Sequence, residues 1–248
     1  MTSHKKTPSS HYWMYGQHAI QYALLNPRRR IHQCIYLPKT DKNILKDLPA
    51  HIPTSEVDKD TFQELMGPDA VHQGMAIEVS PLESVSLESF VAQEESPQLL
   101  MILDHVVDPH NVGAILRSCA VFGVKALLMT ERNSPKESST LAKIACGALD
   151  LVPLIYVSNL AQTIKTLQKH GFWTVGLAEQ STTPLHDVNW SGKMAIIMGA
   201  EGDGMRPLTR EHCDILAYLP TASSFSTLNV SNAAAITLFE AFKSQKKQ

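Results

Sequence analysis

The 248-residue chain has only four cysteines, Cys34, Cys119, Cys146 and Cys213, and none stands in a CxxC pair. Spread through apolar periodic segments, they read as buried reduced thiols, and neither a disulfide framework nor a zinc site is expected. Long hydrophobic runs are also missing: no uninterrupted apolar stretch approaches the roughly 20 residues of a membrane span. The start, MTSHKKTPSSHYW, has lysines with no apolar stretch behind them. It does not read as a secretory signal, and residues 1–12 are expected to form a disordered arm on a cytoplasmic protein. Excess positive charge is absent, because 22 Lys and Arg against 24 Asp and Glu leave a formal net charge of -2. Overall charge therefore does not point to nucleic acid. Arg28, Arg29 and Arg30 do stand together after Pro27, where either a solvated turn or an RNA contact accounts for them. Several catalytic signatures are missing as well. GxGxxG, GK[ST], HExxH, an EF-hand loop, a Ser-His-Asp ordering and paired catalytic carboxylates are not found, which leaves hydrolase, metal and dinucleotide chemistry without support.

What is present is an α/β pattern in two parts, and the length suffices for two cores. Residues 13–80 read as a small α/β unit: a helix over 15–25 ended by Asn26-Pro27, a strand over 31–37, short helices near Leu45 and at 62–66, and a strand over 75–79. His72-Gln73-Gly74 reads as a polar turn. Residues 81–97, with four glutamates among serines and prolines, read as an acidic connector and place the domain boundary there. From Gln98 onwards short apolar strands alternate with helices. Strands are expected at 99–103, 126–129, 151–157, 172–177, 195–198 and 215–219, and helices at 112–121, 138–148 and 160–169. Such alternation argues for a parallel sheet covered on both faces, with ligands bound beyond the carboxyl ends of the strands.

That rule singles out three loops. In DHVVDPHNVGAILRS, Asn111 is expected to cap a helix, with Gly113 in its first turn. Arg117 lies off the apolar stripe Val112, Ile115, Leu116 and Cys119, where it is either an idle surface arginine or a guanidinium that grips a phosphate. His105 and His110 flank this loop as polar residues, without a third ligand at metal spacing. In MGAEGDGM, three glycines allow tight backbone geometry, and Glu201 would repel a phosphate but suits a cationic ligand or the donors of a ribose or adenine. In LPTASSFSTLNVSNAAAITLFEAF, Pro220 ends a strand and hydroxyls fill the loop. Asn229 or Ser231 then caps a helix that is apolar around most of its circumference, so that part of its surface is expected to meet a second chain.

Taken together, the segments LDHVVDPHNVGAILRSCAVFGV, MAIIMGAEGDGM and LPTASSFSTLNVSNAAAITLFEA resemble, in order and spacing, the three motifs of the SpoU (TrmH-type) branch of the SPOUT RNA methyltransferases. MYGQHAIQYALLN and AVHQGMAIEV are similar to the small L30e-like domain that precedes this catalytic domain in bacterial enzymes methylating guanosine ribose in 23S rRNA. The resemblance implies an L30e-like RNA-binding domain over 13–80, a linker over 81–97 and a methyltransferase domain over 98–248 with a deep trefoil knot. It also implies S-adenosylmethionine as cofactor, RNA as substrate and a homodimer formed through the C-terminal helix. Carried over position by position, Asn111 and Arg117 match the first motif, Glu201 the second, and Thr227 and Asn229 the third. The backbones of Gly199, Leu219 and Leu228 match the cofactor-holding positions. Thr227 stands where serine is common, and Asn232 where a small or β-branched apolar residue is usual. Ribose methylation of tRNA and a catalytically silent RNA-binding module remain the alternatives.

Overall fold

Leu99 to Leu103 is a run of five aliphatic side chains, and such a run is stable only in a strand covered on both faces. In the computed structural model, which describes residues 11–40, 44–67, 72–92, 98–222 and 228–245, every residue of that strand is buried. The elements in chain order are β1 (Tyr12–Tyr15), α1 (Gln17–Leu25), β2 (Ile31–Tyr36), β3 (Thr54–Glu56), α2 (Lys59–Met66), β4 (Met75–Val79), α3 (Leu87–Val91), β5 (Gln98–Asp104) and α4 (Pro109–Val121). They continue as β6 (Ala126–Thr130), α5 (Ser139–Ala145), α6 (Ala148–Leu151), β7 (Leu154–Val157), α7 (Leu160–Lys169), β8 (Phe172–Leu177), β9 (Thr183–Pro184), β10 (Lys193–Gly199), α8 (Pro207–Glu211), β11 (Ile215–Tyr218) and α9 (Val230–Gln245). Two compact units contain them, Met1–Glu83 with Lys136–Leu151 and Ser84–Pro135 with Val152–Gln248.

In unit 1 the sheet order is β1-β4-β2-β3, with β4 antiparallel to both β1 and β2. The sequence reading expected residue 12 to belong to an arm and residue 15 to a helix. Instead Tyr12–Tyr15 is a strand, separated from α1 by Gly16 at φ 95, a conformation that glycine adopts without steric cost. Residues 1–10 of the expected arm lie outside the described residues. Asp58 caps α2 by accepting from the Thr61 N–H at 2.8 Å, and Phe62 is carried into a core with Ile35 and Ala76.

Lys136–Leu151 belongs to unit 1 although it lies far along the chain. The single helix expected over 138–148 is broken, because Cys146 and Gly147 both take positive φ. At Gly147 a Cβ would fall 2.3 Å from the Tyr22 ring, so only glycine allows this approach. The segment delivers two carboxylates to a buried arginine. Arg29 Nε donates to Asp150 Oδ1 at 2.8 Å, and Nη1 donates to the Ser80 carbonyl at 3.0 Å and to Glu137. The Tyr12 hydroxyl donates to Glu137 at 2.7 Å, and burial, followed by the Glu137 charge, pushes the phenol pKa far up. Of the Arg28-Arg29-Arg30 trio, then, Arg29 is a core ion and neither of the two expected readings fits it, whereas Arg28 and Arg30 are exposed.

Unit 2 is built on a seven-stranded sheet in the order β7-β6-β5-β10-β8-β11-β9, parallel throughout, as the alternating pattern predicted. Leu100, Ile102, Ala195 and Ile197 pack with Ile164 and Leu167 of α7. By strand alternation Met101 and Leu103 face the other side. Helices α4 and α9 pack on each other and against β6 and β10. The expected acidic connector contains α3, whose Ser86 cap accepts from the Ser89 N–H and whose Leu87, Phe90 and Val91 join this core. A five-residue helix is too short to show a period in sequence. All four cysteines are free; Cys34 and Cys119 are buried, whereas Cys146 and Cys213 are only half buried. Burial pushes the Cys34 thiol up to about 11 and the Cys213 thiol up to about 12, so neither is a ready nucleophile.

Candidate active site

The three loops singled out by the sequence leave the carboxyl ends of β5, β10 and β11. From β5 the chain builds outward through β6 to β7, and β10, β8 and β11 fill the other half. The direction of winding therefore reverses between β5 and β10, the place where an open parallel sheet leaves a crevice for a ligand.

Each loop has a local reason for its shape. After β5, His105 takes φ 61, and Asp108 caps α4 by accepting from the His110 N–H at 2.9 Å. This corrects the expectation for Asn111. Pro109 at the first helical position has no N–H to satisfy and presets φ, so the helix begins earlier and Asn111 lies in its first turn, free for a tertiary contact. After β10, the chain doubles back in a tight turn in which the Ala200 and Gly204 amides exchange bonds of 3.1 and 3.0 Å. A Cβ on Gly199 would sit 2.1 Å from the Gly204 carbonyl carbon and 2.2 Å from the Met205 nitrogen, so this position tolerates no side chain. After β11, Leu219 is half buried, and Asn229 caps α9 by accepting from the Ser231 N–H at 2.8 Å. Thr227 lies outside the described residues, and Leu228 is exposed.

Three of the expected residues meet. Asn111 Nδ2 donates to Glu201 Oε1 at 3.1 Å, Asn229 Nδ2 donates to Asn111 Oδ1 at 3.0 Å, and Asn229 also donates to Glu201 Oε1. The Val230 N–H lies 3.5 Å from the same carboxylate oxygen. One residue from each loop thus closes a polar triangle at the sheet edge, with Glu201 and Asn229 exposed and Asn111 half buried. Arg117 stands on α4 six residues after Asn111, about 9 Å further along the axis. It is exposed, and among the described residues no hydrogen bond or ion pair holds its guanidinium. Among the described residues Asn111 makes no hydrogen bond to Arg117; its side-chain partners are Glu201 and Asn229.

The chemistry of this edge is carboxylate and amide. Such a set suits a cationic, hydroxyl-bearing nucleoside better than a phosphate. Among the described residues no group of three His, Cys, Asp or Glu side chains is placed to hold a metal ion. Sequence reasoning missed two residues here. Asp104, fully buried at the end of β5, accepts from the Arg206 backbone N–H at 2.9 Å and from Arg206 Nε at 2.7 Å. The available signal was a carboxylate closing an otherwise aliphatic strand, which needs a partner.

The SpoU rRNA Methylase family matches residues 98–239. The chain belongs to that family. Residues 13–85 of this SpoU chain match the family described as RNA 2'-O ribose methyltransferase substrate binding. Among curated relatives, the 23S rRNA (guanosine-2'-O-)-methyltransferase RlmB of Pseudomonas putida is 37% identical over 94% of the chain and 96% of its own length. The enzyme of the same name from Vibrio parahaemolyticus is 40% identical over 94% and 97%. Among solved structures, the SpoU methyltransferase AviRb from Streptomyces viridochromogenes, in complex with AdoMet, superposes with a TM-score of 0.81 at 20% identity, covering 98% of this chain and 93% of that one. At that identity the likeness carries the fold.

Proposed function

We propose that this SpoU chain methylates the 2′-oxygen of a guanosine ribose in 23S rRNA, using S-adenosylmethionine. The observation that carries the reading is the triangle of Asn111, Glu201 and Asn229, which ties the three family motifs together at the crevice of the sheet. The backbones of Gly199, Leu219 and Leu228 would hold the cofactor, and the Glu201 carboxylate, two residues after Gly199 and 3.5 Å from the Val230 N–H, has a sign that favours a sulfonium. Bound there, the cofactor supplies an already activated methyl group. The task left to the protein is to align a ribose hydroxyl and to make its deprotonation less costly. Arg117, exposed and without a hydrogen bond or ion pair among the described residues, would meet the RNA, stabilising negative charge as it develops on the 2′-oxygen while an RNA phosphate orients the guanidinium. Asn111 and Asn229 keep the edges of the pocket in register, and the Thr227 hydroxyl faces the same task as the serine more common at its position.

Residues 13–80 serve in this reading as the module that grips the RNA, and 98–248 as the knotted methyltransferase domain. A homodimer through the C-terminal helix belongs to the same reading, supported by the exposure of Val121 on α4 and of Ile236 and Phe239 on α9, at 72%, 47% and 51%. Work takes place in the cytoplasm, where rRNA is made. The test is ribose-methylation mapping of 23S rRNA and tRNA from cells lacking the protein, together with calorimetric titration of the purified protein with S-adenosylhomocysteine. Loss of one guanosine methylation in 23S rRNA and measurable cofactor binding are expected. A lost tRNA mark overturns the choice of substrate, and the absence of cofactor binding overturns the activity.

A further inference from the structure

The turn that carries Glu201 is short and exposed, yet its downstream end is fixed twice. Met205 is buried in the core of unit 2, packed with Cys213 over Gly176, where a Cβ would lie 2.7 Å from the Met205 methyl and 2.8 Å from the Cys213 sulfur. The next residue, Arg206, presents both its backbone N–H and its Nε to the two oxygens of Asp104. Asp104 has no solvent-exposed surface, whereas the Arg206 side chain is 44% exposed. At the upstream end of the turn, Gly199 pairs in register with Asp104. Asp104 therefore lies beside the upstream end of the turn through its backbone, holds the downstream end through its carboxylate, and also opens the loop that leads to Asn111.

We propose that the Asp104–Arg206 fork is a positioning device for the methyl-transfer site. It holds the 199–205 turn so that Glu201 stays on Asn111 and Asn229, and Arg206 touches neither cofactor nor RNA. The inference rests on the functional reading given above. Two bonds into one buried carboxylate define both the distance and the direction of the chain at residue 206, which a single contact does not. Releasing the fork leaves Asp104 buried and half unpaired, and the turn loosens at its downstream end, where the burial of Met205 and the Ala200–Gly204 exchange remain.

Glutamine separates positioning from charge, because its amide nitrogen occupies the same place along the side chain as Arg Nε. In the full-length protein, Arg206→Ala is expected to raise amide hydrogen exchange over residues 199–206 at least tenfold, to lower kcat about thirtyfold and to weaken S-adenosylhomocysteine binding about tenfold, with the KM for RNA unchanged. Arg206→Gln is expected to stay within about threefold of the parent in all four. Equal impairment of both variants, seen mainly in the KM for RNA, would make Arg206 a charged RNA contact and overturn the proposal. So would unchanged exchange in the alanine variant. The exchange readout needs no catalysis, so an inactive parent protein would count against the assigned activity and leave the positioning test decisive.

Discussion

The polar cluster around Arg29 in unit 1 and the polar triangle of Asn111, Glu201 and Asn229 in unit 2 are made from similar groups and differ in access to water. Arg29, Glu137 and Asp150 are sealed, with side-chain exposures of 0%, 8% and 1%. Arg29 Nη2 and Asp150 Oδ2 remain without a partner among the described residues. In the triangle, two of the three members are exposed. A sealed network repays its desolvation only when intact, so it fixes the fold around it. An open one contributes little to stability and keeps its remaining lone pairs for a ligand.

Breaking the sealed side should have the largest effect. Arg29→Ala strands two buried carboxylates, and urea unfolding should show a loss of about 3–5 kcal/mol. Glu201→Ala, measured in the same way, should cost less than about 1 kcal/mol; comparable losses in the two variants would erase the distinction. Next comes Arg117→Ala. It should lower kcat about 100-fold, or ~2.7 kcal/mol, while S-adenosylhomocysteine titrates within about threefold of the parent; joint loss of binding and turnover would remove Arg117 from its assigned role. Asn229→Ala is smaller in stability. Loss of the α9 cap should cost about 1 kcal/mol, visible as a drop of about 2–4 °C in Tm.

The smallest effect belongs to protons. His32 stacks on His11 with ring centroids 3.8 Å apart, and its Nε2 lies 2.8 Å from the Ser80 hydroxyl. Desolvation, then the neighbouring His11 and Arg30, lower its pKa below the ordinary 6.5, against an opposing pull from Glu78. The folded state therefore binds this proton less readily than the unfolded chain does. Stability should be complete above about pH 6.5 and decline as pH falls below it, and His32→Gln should flatten the decline in an unfolding midpoint measured at pH 5 and 7.5.

The same contrast explains what sequence alone revealed. Helix α7 and strand β8 were read at their observed bounds, because the Asn159 side chain caps the helix by accepting from the Gln162 N–H and Gly171 takes the positive φ that ends it. Asn111, Glu201 and Asn229 were legible together because their three loops match the SpoU motifs in order and spacing, whereas each loop read by itself left the role of its residue open. The sealed residues were not legible. Arg29 looked like a member of a surface trio because its partners, Glu137 and Asp150, lie more than 100 residues away, and the Asp104–Arg206 fork spans 102 positions. Local patterning carries no trace of such pairs. Strand β1 was lost for a related reason: four aromatic-rich residues become a strand only beside β4. The start of α4 was misplaced even though Asp108-Pro109 carries the stronger local signal, a cap followed by a first-position proline.

Because Lys136–Leu151 is folded into unit 1, the polypeptide passes between units three times, after Glu83, Pro135 and Leu151. Severing the chain at any one crossing strands no fragment, since the pieces of a unit still grip one another, and a nicked molecule should elute as one particle until denatured. A gene truncated shortly after residue 85 would encode Arg29 without the two carboxylates that neutralise it, so the recombinant N-terminal fragment should come out insoluble even though its family match is complete.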